Sequence, residues 1–299
     1  MIRKSTLAVV IPVHNRREEL TRALISVYQQ TLPVDEVWVV DDASDVELFP
    51  LEEFKEWSAL HYHRLESKSN ANVARNKGAH LSQSDYIAFL DSDDEWEMDY
   101  IEQCQKHLKP IQGAYFSQSK IVRAGAANPK HSKEWREDMS AVNFLLDGGF
   151  AQTSSFIVDR VSFLNVQFDE QLKRHQDFDF FARYAKKYTW NQLPVCAVLV
   201  HWEENRKTTR DARSEMIFIE RFVSEIEPRV LKRYLRMQYD YFYLNGSPAD
   251  YKLHQAMVPR IAGMFTFSEF KSFYKERSSL YLNTIGFLTF LLLRLKSKL

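Results

Sequence analysis

Apolar residues fall along this chain in short unbroken runs separated by stretches of helical spacing, a rhythm that predicts an α/β fold. Leu7–Val13 is a β-branched run interrupted by Pro12 and reads as a first buried strand. Leu20, Ala23, Leu24, Val27 and Tyr28 then recur at helical spacing, with Asn15 and Glu18 placed as a capping box. Glu36–Val40 supplies a second strand, so the first unit is strand, helix, strand with the strands parallel. Leu60–Arg64 alternates as a third strand, and Asn70–Ala79 reads as a helix. Its Ala71, Ala74, Gly78 and Ala79 put small residues on one side, so it can lie close to the sheet.

Tyr86–Leu90 is apolar throughout, as a strand buried on both faces should be, and it ends abruptly in Asp91, Ser92, Asp93, Asp94 and Glu95. A helix over Asp99–Leu108 and strands at Tyr115–Val122, Thr153–Val158 and Val195–Val200 follow, with a helix from His175 that places Asp177 in its first turn. Arg123–Gly149 shows no period and reads as an insertion or mobile loop over the site. From about Ser214 the pattern turns to helices, at Ile217–Ile226, Val230–Tyr243, Ser268–Tyr274 and Leu280–Leu295. The expectation is therefore an α/β domain over 1–212, a mostly parallel sheet flanked by helices, with a C-terminal helical extension over 213–299.

At 299 residues the chain can bury one large core and a smaller appendage. Its 40 basic and 40 acidic residues cancel, which gives no support to nucleic acid as a partner. The start, Met1–Thr6, runs into a strand with no signal-peptide core, so a cytoplasmic location is expected. Cys104 and Cys196 form neither a disulfide framework nor a zinc site.

Chemistry enters at the carboxyl ends of the strands, where open α/β sheets bind ligands. Asp91, Asp93 and Asp94 would repel one another there unless a cation lay between them, and a hard divalent ion holding phosphates is the natural occupant. An acidic turn capping the next helix is the alternative for such a cluster.

Taken together, Val10–Asn15, Val39–Ser44, Asn72–Gly78, Phe89–Asp94 and the pair Gln176–Asp177 resemble, in order, the motifs of a family 2 glycosyltransferase of the GT-A fold, the inverting nucleotide-sugar-dependent type of bacterial surface polysaccharide synthesis. The resemblance covers about the first 210 residues. It implies that Pro12, Val13 and Asp42 line the nucleotide base and ribose, and that Arg75 reaches the base or the diphosphate. It further implies that Asp91, beside Ser92, contacts the ribose or donor sugar, and that Asp93 holds Mn2+ or Mg2+. Gln176 departs from the acidic pair usual at this position, which leaves Asp177 as the base for the acceptor hydroxyl and Asp179 as its fallback. Asp177 can also be read as a helix cap, and such a position lowers a carboxyl pKa unless apolar walls or other acids oppose it. His201, with Arg206 or Lys207, follows the last strand and is a candidate for the metal shell or the phosphates.

The donor so implied is a UDP-sugar and the acceptor a glycan or a lipid-linked glycan. The apolar run Tyr281–Leu293 with Arg294, Lys296 and Lys298 is too short to span a bilayer. It suits either a peripheral helix on the inner membrane face, through 280–299, or a helix docked on protein, a homodimer included. A catalytically degenerate scaffold binding nucleotide or glycan is the competing function. It is disfavoured because Asp93 and Asp177 are both kept. A nucleotidyltransferase would carry a glycine-rich loop where Val13–Arg17 has no glycine, and a phosphatase would carry a nucleophilic Asp in Leu7–Val13, which has none.

Overall fold

Strand residues alternate between the faces of a sheet, so a run apolar at every position can be covered on both sides. In β1 (Leu7–Val13) every residue is buried. Leu7, Val9, Ile11 and Val13 pack with Leu20, Ala23, Leu24 and Val27 of helix α1 (Arg17–Tyr28). Ala8 and Val10 join the opposite cluster with Phe89, Phe116, Phe156 and Phe180. One sheet thus separates two cores. This computed structural model describes residues 5–49, 51–109, 113–202 and 211–245, with side chains excepted at 239–240 and 242–245.

The remaining strands are β2 (Glu36–Asp41), β3 (Leu60–Arg64), β4 (Tyr86–Phe89), β5 (Glu95–Trp96), β6 (Gly113–Arg123), β7 (Ala126–Pro129), β8 (Phe156–Asp159) and β9 (Thr189–His201). They lie in the order β3-β2-β1-β4-β8-β6-β9-β5, with β7 hairpinned onto β6. The β3-β2-β1-β4 half is parallel, as expected. Beyond β4 the sheet is mixed: β8 runs antiparallel to both neighbours, β6 and β9 are parallel, and β5 closes the edge antiparallel to β9.

Helix α2 (Ala71–Leu81) rides on β1 and β2, and the small residue predicted to permit this is required. A β-carbon on Gly78 would sit 2.5 Å from Val10 Cγ1. Helices α3 (Tyr100–Gln105), α4 (Ala141–Leu146), α5 (Arg160–Leu164) and α6 (Gln176–Ala185) complete the layers. The chain divides into two compact units, Met1–Thr208 and Thr209–Leu299. In the second, α7 (Ala212–Phe222) and α8 (Pro228–Asn245) bury Phe218, Ile219, Phe222, Leu231 and Leu235. No helix among the described residues is long and apolar enough to cross a membrane. The expected helices Ser268–Tyr274 and Leu280–Leu295, and with them the 280–299 tail, lie outside those residues.

Three local expectations are corrected. Asn15 does not cap α1. It takes a left-handed backbone (φ 56°), and its side chain exchanges hydrogen bonds with Asp45, accepting from the Asp45 N–H at 2.7 Å, so tertiary pairing displaces the local box. The Arg123–Gly149 stretch is not a structureless loop. It holds β7 and α4, and Trp135, Val142, Phe144 and Leu145 are buried in the second core. Finally, β9 begins six residues before the predicted Val195. Its polar start, Thr189–Gln192, pairs with β6, and the register then skips past Pro194, a bulge that accommodates a residue lacking an N–H.

Candidate active site

Where β1, β2 and β4 end, their last side chains meet three later segments around a cleft of about 550 Å3. From β1 come Pro12, Val13 and His14, and from the end of β2 comes Asp42. Helix α2 adds Arg75, and the acidic turn after β4 adds Asp91, Ser92 and Asp93. The later chain contributes Phe150, Gln152 and Thr153, then Lys173 to Asp177, then Val200 and Trp202. Eight of the nine site residues read from the sequence therefore share one cavity. His201 does not line it. Its Nε2 lies 2.6 Å from Glu95 Oε1, and its backbone N–H donates to Asp94 Oδ1. Arg206 and Lys207 fall outside the described residues.

The paired acids after β2 divide their labour. Asp41 is fully buried and accepts from Ser44 Oγ (2.6 Å), Tyr62 Oη (2.7 Å) and Arg64 (3.1 Å), which ties the β2 end to β3. Tyr62's own desolvation, with the Asp41 carboxylate beside it, pushes its hydroxyl up to about 12. Asp42 faces the cleft, its Oδ1 held by the Ser69 N–H at 2.6 Å.

Arg75 is 3% exposed, and a guanidinium so buried needs partners. Its Nη2 lies 2.5 Å from Asp91 Oδ1, Nη1 donates to Asn72 and Gln176, and the group sits 5.2 Å from the Phe168 ring. Gln176 explains its own departure from an acid: the carbonyl accepts from Arg75 while the amide nitrogen donates to the Lys173 carbonyl at 3.1 Å, which a glutamate could not do. Asn70, Asn72 and Asn76 of the α2 stretch donate to the carbonyls of Glu170, Asp169 and Phe168, so α2 fixes the segment that leads into α6. The sequence reading attached no role to these asparagines, because their partners lie 92 to 100 residues away.

Asp93 is paired with Arg16 at 2.6 Å, and Arg22 donates to its carbonyl. Asp94 turns inward to Ser154 and the His201 N–H. Burial, with Asp91 and Asp93 adjacent, raises its carboxyl well above the usual range. Asp179, the fallback base, is fully buried against Arg183.

Asp177 differs from all of these. It opens on the cleft and is only half buried, yet protein packs closely around it. That desolvation, with a smaller push from the Asp91 charge, outweighs the Phe178 N–H and the Arg75 charge and lifts its carboxyl to about 6. The expected helix-cap effect is thus overcome by surroundings. Before it, His175 holds a left-handed backbone (φ 58°), which turns the chain into α6.

The lining includes four cations, Arg16, Arg75, Lys173 and Arg174, and four acids, Asp42, Asp91, Asp93 and Asp177, so an entering diphosphate adds uncompensated charge. A hard divalent ion fits that need. Such ions are commonly held by one or two carboxylates with phosphate and water oxygens completing the shell, and Asp91 and Asp93 offer that pair. No group of three or more His, Cys, Asp or Glu among the described residues forms an all-protein cage.

Residues 8–171 match the model of Glycosyl transferase family 2. The amylovoran biosynthesis glycosyltransferase AmsB of Erwinia amylovora is 31% identical over 193 residues, which covers 60% of this chain and 64% of that one. The putative teichuronic acid biosynthesis glycosyltransferase TuaG of Bacillus subtilis is 38% identical over 101 residues, covering 33% and 40%. The chain thus spans less than two thirds of either relative. Among solved structures, S. aureus TarS 1-349 in complex with UDP-GlcNAc superposes with a TM-score of 0.70 at 16% identity, over 95% of this chain and 88% of that one, a likeness of fold.

Proposed function

The chain belongs to glycosyl transferase family 2, and from that premise we propose that it moves a sugar, with inversion, from a UDP-sugar to a hydroxyl of a glycan or lipid-linked glycan during cell-surface polysaccharide assembly. The observation that carries this reading is Asp177: a carboxyl lifted to about 6 that opens on the same cleft as Asp42, Arg75, Asp91 and Asp93. Pro12, Val13 and Asp42 receive the base and ribose. Arg75, already braced by Asn72 and Gln176, presents fixed positive charge to the donor. Asp93, with Asp91, would hold Mn2+ or Mg2+, which supplies positive charge to the departing diphosphate. The names of the relatives, and the UDP-GlcNAc in the TarS structure, agree with a sugar nucleotide as donor.

In the reaction the acceptor hydroxyl gives its proton to an Asp177 carboxylate oxygen as its own oxygen bonds to the anomeric carbon. The bond from that carbon to the diphosphate oxygen breaks on the opposite face, and UDP leaves with the bonding pair. A base near 6 is half ionised at that pH and still holds its proton well enough to be an effective acceptor near neutrality.

The test is UDP release from a panel of UDP-sugars with Mn2+, with and without acceptor glycans, followed across pH. The expected result is acceptor-dependent release with an acid limb centred near pH 6. Release indifferent to every acceptor, or a rate flat from pH 5 to 8, would overturn the assignment of Asp177.

A further inference from the structure

We infer that the corner of the cleft walled by Phe150 and Trp202 is a subsite for an anionic saccharide acceptor, whose charge is met by Arg123 and Lys130. The inference rests on the transferase reading above and adds to it the chemical class of the acceptor, a glycan bearing carboxylates or phosphodiesters.

Four side chains from separate segments converge here because of the β6–β7 hairpin. Its two loop residues, Ala124 and Gly125, both take positive φ (47° and 78°), as a tight hairpin turn requires. Strand β6 is paired with β9 up to Val122 and His201, and the Trp202 N–H continues the ladder to the Val122 carbonyl at 3.1 Å. That register sets Arg123 beside Trp202, its guanidinium carbon 4.8 Å from the ring centroid. Just past β7, the Lys130 N–H bonds to the Ser119 carbonyl, and its ammonium lies 5.7 Å from the Phe150 ring and 5.8 Å from Trp202. Both rings line the cleft that holds Asp177.

The arrangement is poorly explained by stability. A cation over an aromatic face at an exposed site contributes about 0.5–1 kcal/mol, while ordering a lysine or arginine side chain costs up to about 2 kcal/mol of rotamer freedom. Nor are these cations needed to balance protein charge. Arg16 and Arg75 are matched to Asp93 and Asp91, whereas no carboxylate among the described residues stands within ion-pair distance of Arg123 or Lys130. A saccharide carrying negative groups answers both features. Its apolar C–H face stacks on an aromatic ring, and a carboxylate or phosphate at the ring edge takes charge-assisted hydrogen bonds from the guanidinium and ammonium.

The experiment is calorimetric titration of the full chain, saturated with UDP and Mn2+, with hexagalacturonate, an oligo(glycerol phosphate) and uncharged maltohexaose. Binding of one or both acidic probes and at least about tenfold weaker binding of maltohexaose are expected. The acid that binds identifies the source of the charge. In the double variant Arg123→Gln/Lys130→Gln, acidic-probe affinity should fall about tenfold, equivalent to ~1.4 kcal/mol, with UDP affinity unchanged. Equal affinity for maltohexaose, no binding of either acid, or an unaffected double variant would overturn the inference. So would a parallel loss of UDP affinity, which would assign the two cations to the donor diphosphate. Failure of the wild-type protein to bind UDP would instead count against the transferase reading, and acidic-probe binding lost in the double variant would still stand.

Discussion

The cleft has two sides built on opposite electrostatic plans. On the β1–β4 side each acid already has an anchor: Asp91 has Arg75, Asp93 has Arg16, Asp41 has Tyr62 and Arg64, and Asp42 has the Ser69 N–H. On the later side, Asp177 accepts from the neighbouring Phe178 N–H and is lifted to about 6, while Arg123 and Lys130 lie over aromatic rings with no carboxylate partner among the described residues. Pairing fixes a geometry before any ligand arrives. Leaving charge unmatched keeps it available to whatever enters. On the proposed reading, the first side binds and orients one substrate, and the second transfers the proton and recognises the other.

The sharpest way to break this division is Asp177→Asn. Turnover should fall on the order of 10³-fold, within the span of a lost general base, with UDP affinity nearly unchanged in titration. The same variant should gain stability. A raised carboxyl adds stability below pH of about 4 that is lost as the pH climbs through about 6, so at pH 7 the wild type bears the full cost. Removing it should stabilise the protein by on the order of 2 kcal/mol in denaturant melts at pH 7, and by little near pH 4. A loss of UDP affinity equal to the loss in turnover would erase the distinction between the two sides.

Asp93→Ala should come next, with transfer reduced on the order of 10²-fold, comparable to losing one electrostatic stabiliser of a leaving group. Here UDP affinity measured with Mn2+ should drop, while affinity without the ion changes little. Wild-type transfer by Asp93→Ala would remove this carboxylate from the proposed ion site. The smallest effect is expected at Gly78→Ala, which touches neither side's chemistry. The added carbon meets Val10, and overpacking of this kind costs about 1–3 kcal/mol. A melt should show that loss, with turnover per folded molecule retained.

Much of the first side was legible in sequence because its signals are local. An apolar run ending in carboxylates marks both a strand and its ligand edge, and Gly78 among alanines marks a helix pressed on a sheet. Asp177 was legible from the resemblance alone; its raised carboxyl is a property of packing that no spacing reveals. The rest depends on distant partners. Arg16 carried no signal of its own before folding set it against Asp93, and His201 is drawn to Glu95 by the β5–β9 pairing. The Arg123–Gly149 stretch reads as irregular because its hairpin is short and exposed and its buried aromatics serve a core shared with α6. Pro194 likewise hides the first half of β9, since a proline in a strand is tolerated only where the register skips.

The bend at His175 narrows what evolution can write there. A backbone at φ 58° admits glycine freely and asparagine, aspartate or histidine with modest strain, and it penalises β-branched residues heavily. In a library saturating position 175 and selected for the proposed transfer, the survivors should collapse to that handful of residues, a mutational bottleneck two positions before the proposed base.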